Sequence, residues 1–114
     1  MIAIVDYKAG NLTSVKLAFE ALAVPCTVTS SAADMLAAKR VVFPGVGAAG
    51  AAMRDLRDLG LEDTIRQVVA KGTPFLGICV GTQIALEESE EDDGTTCIGL
   101  MPGRVLRFQP SDRY

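Results

Sequence analysis

The 114 residues predict an α/β domain with a mostly parallel, open sheet flanked by helices, and three observations carry that class. Short apolar runs recur along the chain, the stretches between them carry apolar residues every three or four positions, and glycine, proline, asparagine or serine punctuates the junctions. No repeat and no linker interrupts the pattern, so one domain over 1–114 is expected.

Ile2-Ala3-Ile4-Val5 is bounded by Asp6 and the turn-like Lys8-Ala9-Gly10-Asn11, as suits a strand buried on both faces. Leu12, Val15, Phe19 and Leu22 then form a helical stripe that Asn11 or Thr13 can cap. Pro25 to Thr29 alternates like a second strand, and Ser30 or Ser31 can cap a short helix through Leu36. Val41, Val42 and Phe43 make a third strand that ends at Pro44-Gly45. Met53, Leu56 and Leu59 mark a helix closed by Gly60, and Leu61, Ile65, Val68 and Val69 another that reaches Gly72. Pro74 to Ile78 predicts a fourth strand and Val80 to about Glu88 a helix, with Cys79 at their junction. After the turn Met101-Pro102-Gly103, Arg104 to Phe108 alternates as a last strand.

Composition narrows the function classes. With 49% hydrophobic and 22% charged residues the chain reads as soluble and globular. The net charge of -3 is local, because EESEEDD at 87–93 holds six of the fourteen acids. No basic stripe with aromatics invites nucleic acid. The N-terminal apolar stretch is too short for a signal sequence and no run approaches membrane-spanning length, so a cytoplasmic chain without membrane contact is expected. Cys26, Cys79 and Cys97 are far apart, with no CxxC and no histidine in the chain, so neither a zinc site nor another metal or cofactor is expected.

GICVGTQ, Gly77 to Gln83, frames Cys79 with glycines two residues either side. In a strand-to-helix elbow the nucleophile sits on a cramped turn where side chains at those two positions collide. That geometry also sets the sulfur at the positive end of the following helix, which favours the thiolate, and offers the Val80 amide to an oxyanion. A lone cysteine is more often a small buried hydrophobe. The glycine frame, and Gln83 one turn on, favour chemistry for Cys79, whereas Cys26 and Cys97 read as structural.

VVFPGVGAAG, residues 41–50, spells GxGxxG with Gly45, Gly47 and Gly50. One reading is a dinucleotide fingerprint with Glu62 or Asp63 on the ribose, but the motif follows the third strand, and Pro44 intervenes. The other is a loop whose backbone amides supply the second half of an oxyanion hole facing Cys79, since parallel strands deliver both loops to one edge. The acidic run is expected to be mostly a solvated helix end and loop, with one carboxylate available to a substrate ammonium group.

GICVGTQ resembles the GxCxGxQ elbow of class I glutamine amidotransferases, and PGVG at 44–47 resembles their oxyanion loop. Together with DYxxGN at Asp6 to Asn11, ESEE at 88–91 and GLMPGRVLRF at 99–108, the pattern looks like the subgroup of glutaminase subunits of imidazole glycerol phosphate synthase. The resemblance implies a flavodoxin-like fold and hydrolysis of glutamine through a thioester on Cys79, with ammonia passed to a (β/α)8 barrel cyclase subunit for histidine biosynthesis. It implies oxyanion donors at Val80 and at Val46 or Gly47, glutamine held by Gln83 and Glu91, and Asn11 toward the cyclase. Lys8, Ala49 and Thr82 depart from the subgroup's usual residues. The family's triad is completed by an HxE pair from a second half, so the chain is expected to be the N-terminal part of one amidotransferase domain, inactive or poor alone, with an uncovered sheet edge. The competing classes are a nucleotide-binding module using Gly45 to Gly50 and a non-catalytic docking domain.

Overall fold

A computed structural model of the chain describes residues 1–8 and 11–110, so the turn expected at Lys8–Asn11 lies partly outside the described residues. Four parallel strands form the main sheet in the order β2-β1-β3-β4: β1 (Ile2–Val5), β2 (Cys26–Thr29), β3 (Arg40–Phe43) and β4 (Phe75–Gly77). The winding reverses between β1 and β3, and in such sheets ligands bind outside the carboxyl ends of the strands at that reversal. Helices α1 (Leu12–Ala21), α2 (Ala32–Ala37), α3 (Ala49–Asp58) and α4 (Glu62–Ala70) make the crossovers, and α5 (Val80–Ile84) follows β4. A second, small sheet joins β5 (Glu88–Ser89), β6 (Thr95–Thr96) and β7 (Arg104–Val105) in the order β6-β5-β7.

Strand alternation sorts the core. Ala3, Val5, Val41 and Phe43 turn to the face where Met35 of α2, Met53 and Leu56 of α3, Ile65 and Val68 of α4 and Ile84 of α5 close over them. Ile4 and Val42 lie on the other face and are also buried, as a doubly covered parallel sheet requires. That second cover is thin. Helix α1 contributes no buried residue, Leu22 of its expected stripe is 71% exposed, and Leu76 on the edge strand β4 is 54% exposed.

Helix ends follow their local chemistry. Ser31 Oγ accepts from the Asp34 amide at 3.3 Å and caps α2. Asn11 occupies the start of α1 but its side chain makes no capping bond. Helix α1 ends in a Schellman turn, with Ala23 N–H to Glu20 O at 3.0 Å and Val24 N–H to Phe19 O at 2.9 Å. Its left-handed position, φ 55°, is taken by Ala23, whereas Gly60 closes α3 with φ 68°.

Two elements are shorter than expected. The helix after Cys79 stops at Ile84 because tertiary donors claim its carbonyls: Ile98 N–H reaches Ile84 O at 2.9 Å, Leu100 N–H reaches Ala85 O at 2.8 Å, and Gly99 N–H reaches Leu86 O at 2.8 Å. Glu88 is thereby released into β5. The last strand pairs in the small sheet and ends at Val105, since the Glu90 carboxylate takes the Arg107 amide at 2.7 Å in place of a ladder bond.

Candidate active site

Cys79 links β4 to α5 with φ 55° and ψ -125°, a conformation rare for a residue with a side chain, and its thiol is exposed. Backbone strain at one exposed cysteine between a strand and a helix is the geometry of an elbow. The turn is held by Ile78 N–H to Phe43 O at 3.1 Å and by the Cys79 carbonyl, which accepts from Thr82 at 2.9 Å and Gln83 at 3.2 Å. The two framing glycines are demanded by space. A Cβ at Gly77 would lie 3.0 Å from Thr82 Cα, and one at Gly81 would overlap the Phe43 carbonyl.

The loop after β3 lies against this elbow. Gly45 has no room for a side chain, because a Cβ there would collide with both the Tyr7 hydroxyl and Val80 Cγ1. Its bare backbone therefore approaches α5, and its carbonyl accepts the Val80 amide at 3.1 Å. Val80 was expected as an open oxyanion donor. In this conformation its N–H is spent on Gly45, and the side chain is buried. Val46 is 57% exposed and Gly47 has φ 96°, and neither amide has a partner among the described residues.

The acidic run does something the sequence did not suggest. Ala48, at the start of α3, has no side-chain cap, and the gap is filled from 42 residues away. Glu91 Oε2 accepts the Ala49 amide at 2.9 Å and Asp92 Oδ2 the Gly50 amide at 2.9 Å, two carboxylates on the positive end of the helix. This locks residues 91–92 beside the Pro44–Gly47 loop. It also places negative charge where the fingerprint reading requires pyrophosphate, and a Cβ on Gly50 would meet Asp92 Oδ2 at 2.5 Å. Glu62, offered as a ribose acid, instead pairs with Arg57 at 3.0 Å and Arg66 at 2.8 Å. Burial would raise its pKa, but those two guanidinium hydrogen bonds hold the carboxyl below its ordinary value. Asp63 pairs with Arg66 at 3.2 Å.

Gln83 stands on α5 one turn past Cys79, its Oε1 buried and without a partner among the described residues. Tyr7, two residues past β1, is equally orphaned: the residue is 1% exposed and its ring stacks on Phe43 at 4.8 Å, while the hydroxyl has no partner among the described residues. Burial, with Asp55 nearby, pushes the phenol pKa upward and keeps it protonated. In the sequence Tyr7 stands only as the second residue of DYxxGN, with no role of its own; its further signal is a large polar-tipped residue just after the first buried strand. Asn11 is exposed at the start of α1. Cys97 is 3% exposed and burial raises its thiol pKa, whereas Cys26 is half-buried. A groove of about 570 Å³ runs between residues 89–93 and 105–108; it includes Glu91 but not Cys79.

Among the described residues no cluster of His, Cys, Asp and Glu is placed to hold a metal ion, and no helix is long and apolar enough to cross a membrane. The family model described as glutamine amidotransferase class-I matches residues 3–103. An imidazole glycerol phosphate synthase subunit HisH from Herpetosiphon aurantiacus is 49% identical over 108 residues, 95% of this chain and 51% of that protein. The protein of the same name from Desulfovibrio desulfuricans is 51% identical over 109 residues, 96% and 50% respectively. The chain thus spans about half the length of these curated relatives. A crystal structure of a glutamine amidotransferase superposes with a TM-score of 0.77 at 21% identity, covering 94% of this chain and 57% of that one. A putative peptidase E protein from Listeria monocytogenes gives 0.63 at 17% identity, covering 76% and 50%. These two likenesses speak for the fold. The family match along nearly the whole chain, with relatives half identical over the same span, carries the assignment: the chain belongs to the class I glutamine amidotransferases.

Proposed function

We propose that this chain carries the nucleophile half of a glutaminase that supplies ammonia to imidazole glycerol phosphate synthesis. The observation that carries the reading is the strained, exposed Cys79 on a glycine-framed elbow packed against the Gly45 loop. The Cys79 thiolate attacks the glutamine side-chain carbonyl, and the carbonyl electrons move to oxygen. The C–N bond then breaks with a proton delivered to nitrogen, ammonia leaves, and water hydrolyses the thioester to glutamate. The oxyanion is met by backbone amides: Val46 and Gly47, whose N–H groups are unspent, and Val80 once Gly45 yields it.

Gln83 and Glu91 hold the substrate in this reading. Gln83 offers a buried acceptor, and Glu91 retains one carboxylate oxygen without a described partner. The chain has no histidine, and proton transfer falls in this reading to a His–Glu pair outside these 114 residues. Proton transfer contributes on the order of 10² to 10⁴ in rate, so the chain alone is expected to be slow or inactive. The ammonia acceptor is a (β/α)8 barrel cyclase in the cytoplasm, with Asn11 on the side facing it. The relatives' name, a subunit of imidazole glycerol phosphate synthase, supports a second subunit; the barrel and the Asn11 contact follow from the family resemblance of the sequence motifs.

The test is covalent. 6-Diazo-5-oxo-L-norleucine should modify Cys79 and no other cysteine, glutamine should protect it, and Cys79→Ser should abolish labelling. Labelling of Cys79 no faster than of Cys26 or Cys97 would favour the non-catalytic docking domain instead, and saturable NAD binding without labelling the nucleotide module.

A further inference from the structure

Two facts about Gly45 belong together. Its carbonyl occupies the Val80 amide at 3.1 Å, and the Tyr7 hydroxyl stands against its Cα, where a Cβ would collide with that oxygen. Tyr7 is 1% exposed, and its hydroxyl has no hydrogen-bond partner among the described residues. A buried polar group left unpaired is costly and rare in native structures, so one beside the nucleophile elbow requires a reason.

Val80 can serve an oxyanion only while the Gly45 carbonyl is elsewhere. A buried carbonyl that simply lets go of its donor is left unsatisfied, which opposes release unless a second donor is in reach. Of the two side-chain atoms left orphaned among the described residues, Gln83 Oε1 is an acceptor and the Tyr7 hydroxyl a donor. We propose that the Tyr7 hydroxyl is the reserve donor for the Gly45 carbonyl, taking it over from Val80 and releasing the Val80 amide toward the Cys79 site. The exchange trades one hydrogen bond for another. Stacking on Phe43 at 4.8 Å fixes the phenol beneath the loop, so Tyr7 acts as a positioning residue with no contact to substrate. Its use in catalysis rests on the glutaminase reading; the exchange itself does not.

The experiment is amide hydrogen exchange by NMR on the full 114-residue chain, wild type against Tyr7→Phe. Removing the reserve donor should slow exchange at Val80 about five- to tenfold, while the Thr82 and Gln83 amides, bonded to Cys79 O, stay unchanged. The melting temperature should hold or rise, because the variant deletes a buried orphan. Unchanged or faster exchange at Val80, or a lower melting temperature with faster exchange throughout α5, overturns the proposal. In parallel, Tyr7→Phe should slow labelling of Cys79 by 6-diazo-5-oxo-L-norleucine by a similar factor and leave iodoacetamide labelling unaltered. Slowed Val80 exchange in a chain whose wild type does not react with the glutamine mimic would uphold the donor exchange and count against the glutaminase reading.

Discussion

Gly81→Ala isolates the steric logic of the elbow. The added methyl would overlap the Phe43 carbonyl oxygen and stand 2.9 Å from its carbon and 3.3 Å from the Pro44 carbonyl carbon. All three are backbone atoms at the end of β3, with no rotamer to give. To restore ordinary contact, α5 and β3 must part by more than an ångström, which breaks the Ile78 N–H to Phe43 O bond at 3.1 Å. Overpacking costs about 1–3 kcal/mol and an unsatisfied buried carbonyl about 1–3 kcal/mol more. At about 4 °C per kcal/mol for a domain of this size, melting should fall by roughly 8 °C at the least, and Cys79 should label more slowly with any electrophile. Gly60→Ala is the control: its φ of 68° is disfavoured for alanine but no atom lies within 4 Å of the new Cβ, so only about 1 kcal/mol is at stake. Differential scanning fluorimetry on the two variants decides the matter. If Gly81→Ala melts within a degree or two of wild type, the close approach of Gly81 to β3 is wrong.

Three other outcomes are expected. Ala23→Gly should raise stability by about 1 kcal/mol, because Ala23 holds the left-handed position of the α1 Schellman turn at φ 55°; urea unfolding would show it as a higher midpoint at unchanged slope. Asp92→Ala should cost about 1 kcal/mol by stripping the Gly50 amide of its cap, and Asp92→Asn should recover part of it, as thermal melts would report. Glu62 has a folded pKa below its unfolded one, so its contribution is present above about pH 4.5 and is lost as pH falls through the folded value. With Arg57 and Arg66 side chains 43% and 45% exposed, that contribution stays under about 1 kcal/mol, and the stability gap between wild type and Glu62→Gln should close as pH falls below 4.5.

Much of the fold was legible because it is written in local periodicity. The runs at 2–5, 41–43 and 74–78 became the parallel strands β1, β3 and β4, and the glycine frame of Cys79 met the clashes that it implied. The departures share a cause. Helix α5 ends at Ile84 because residues 98–101 take its carbonyls, and the α1 stripe, half-buried at Leu12, Val15 and Phe19, is open at Leu22 because the second face of the sheet is only partly covered. Neither signal exists in a local window.

What the sequence alone determined is the α/β class, the strand-to-helix placement of Cys79 and the family, since each depends on residue type at short spacing. Only the tertiary structure decided how that site is wired. Glu91 and Asp92 crossed 42 positions to cap α3, the Val80 amide went to the Gly45 carbonyl, and the Tyr7 hydroxyl was buried beside Gly45 with no partner among the described residues. Hydrogen bonds across such separations form only when packing brings distant backbone together, and no local pattern of residue types encodes which donor reaches which carbonyl first.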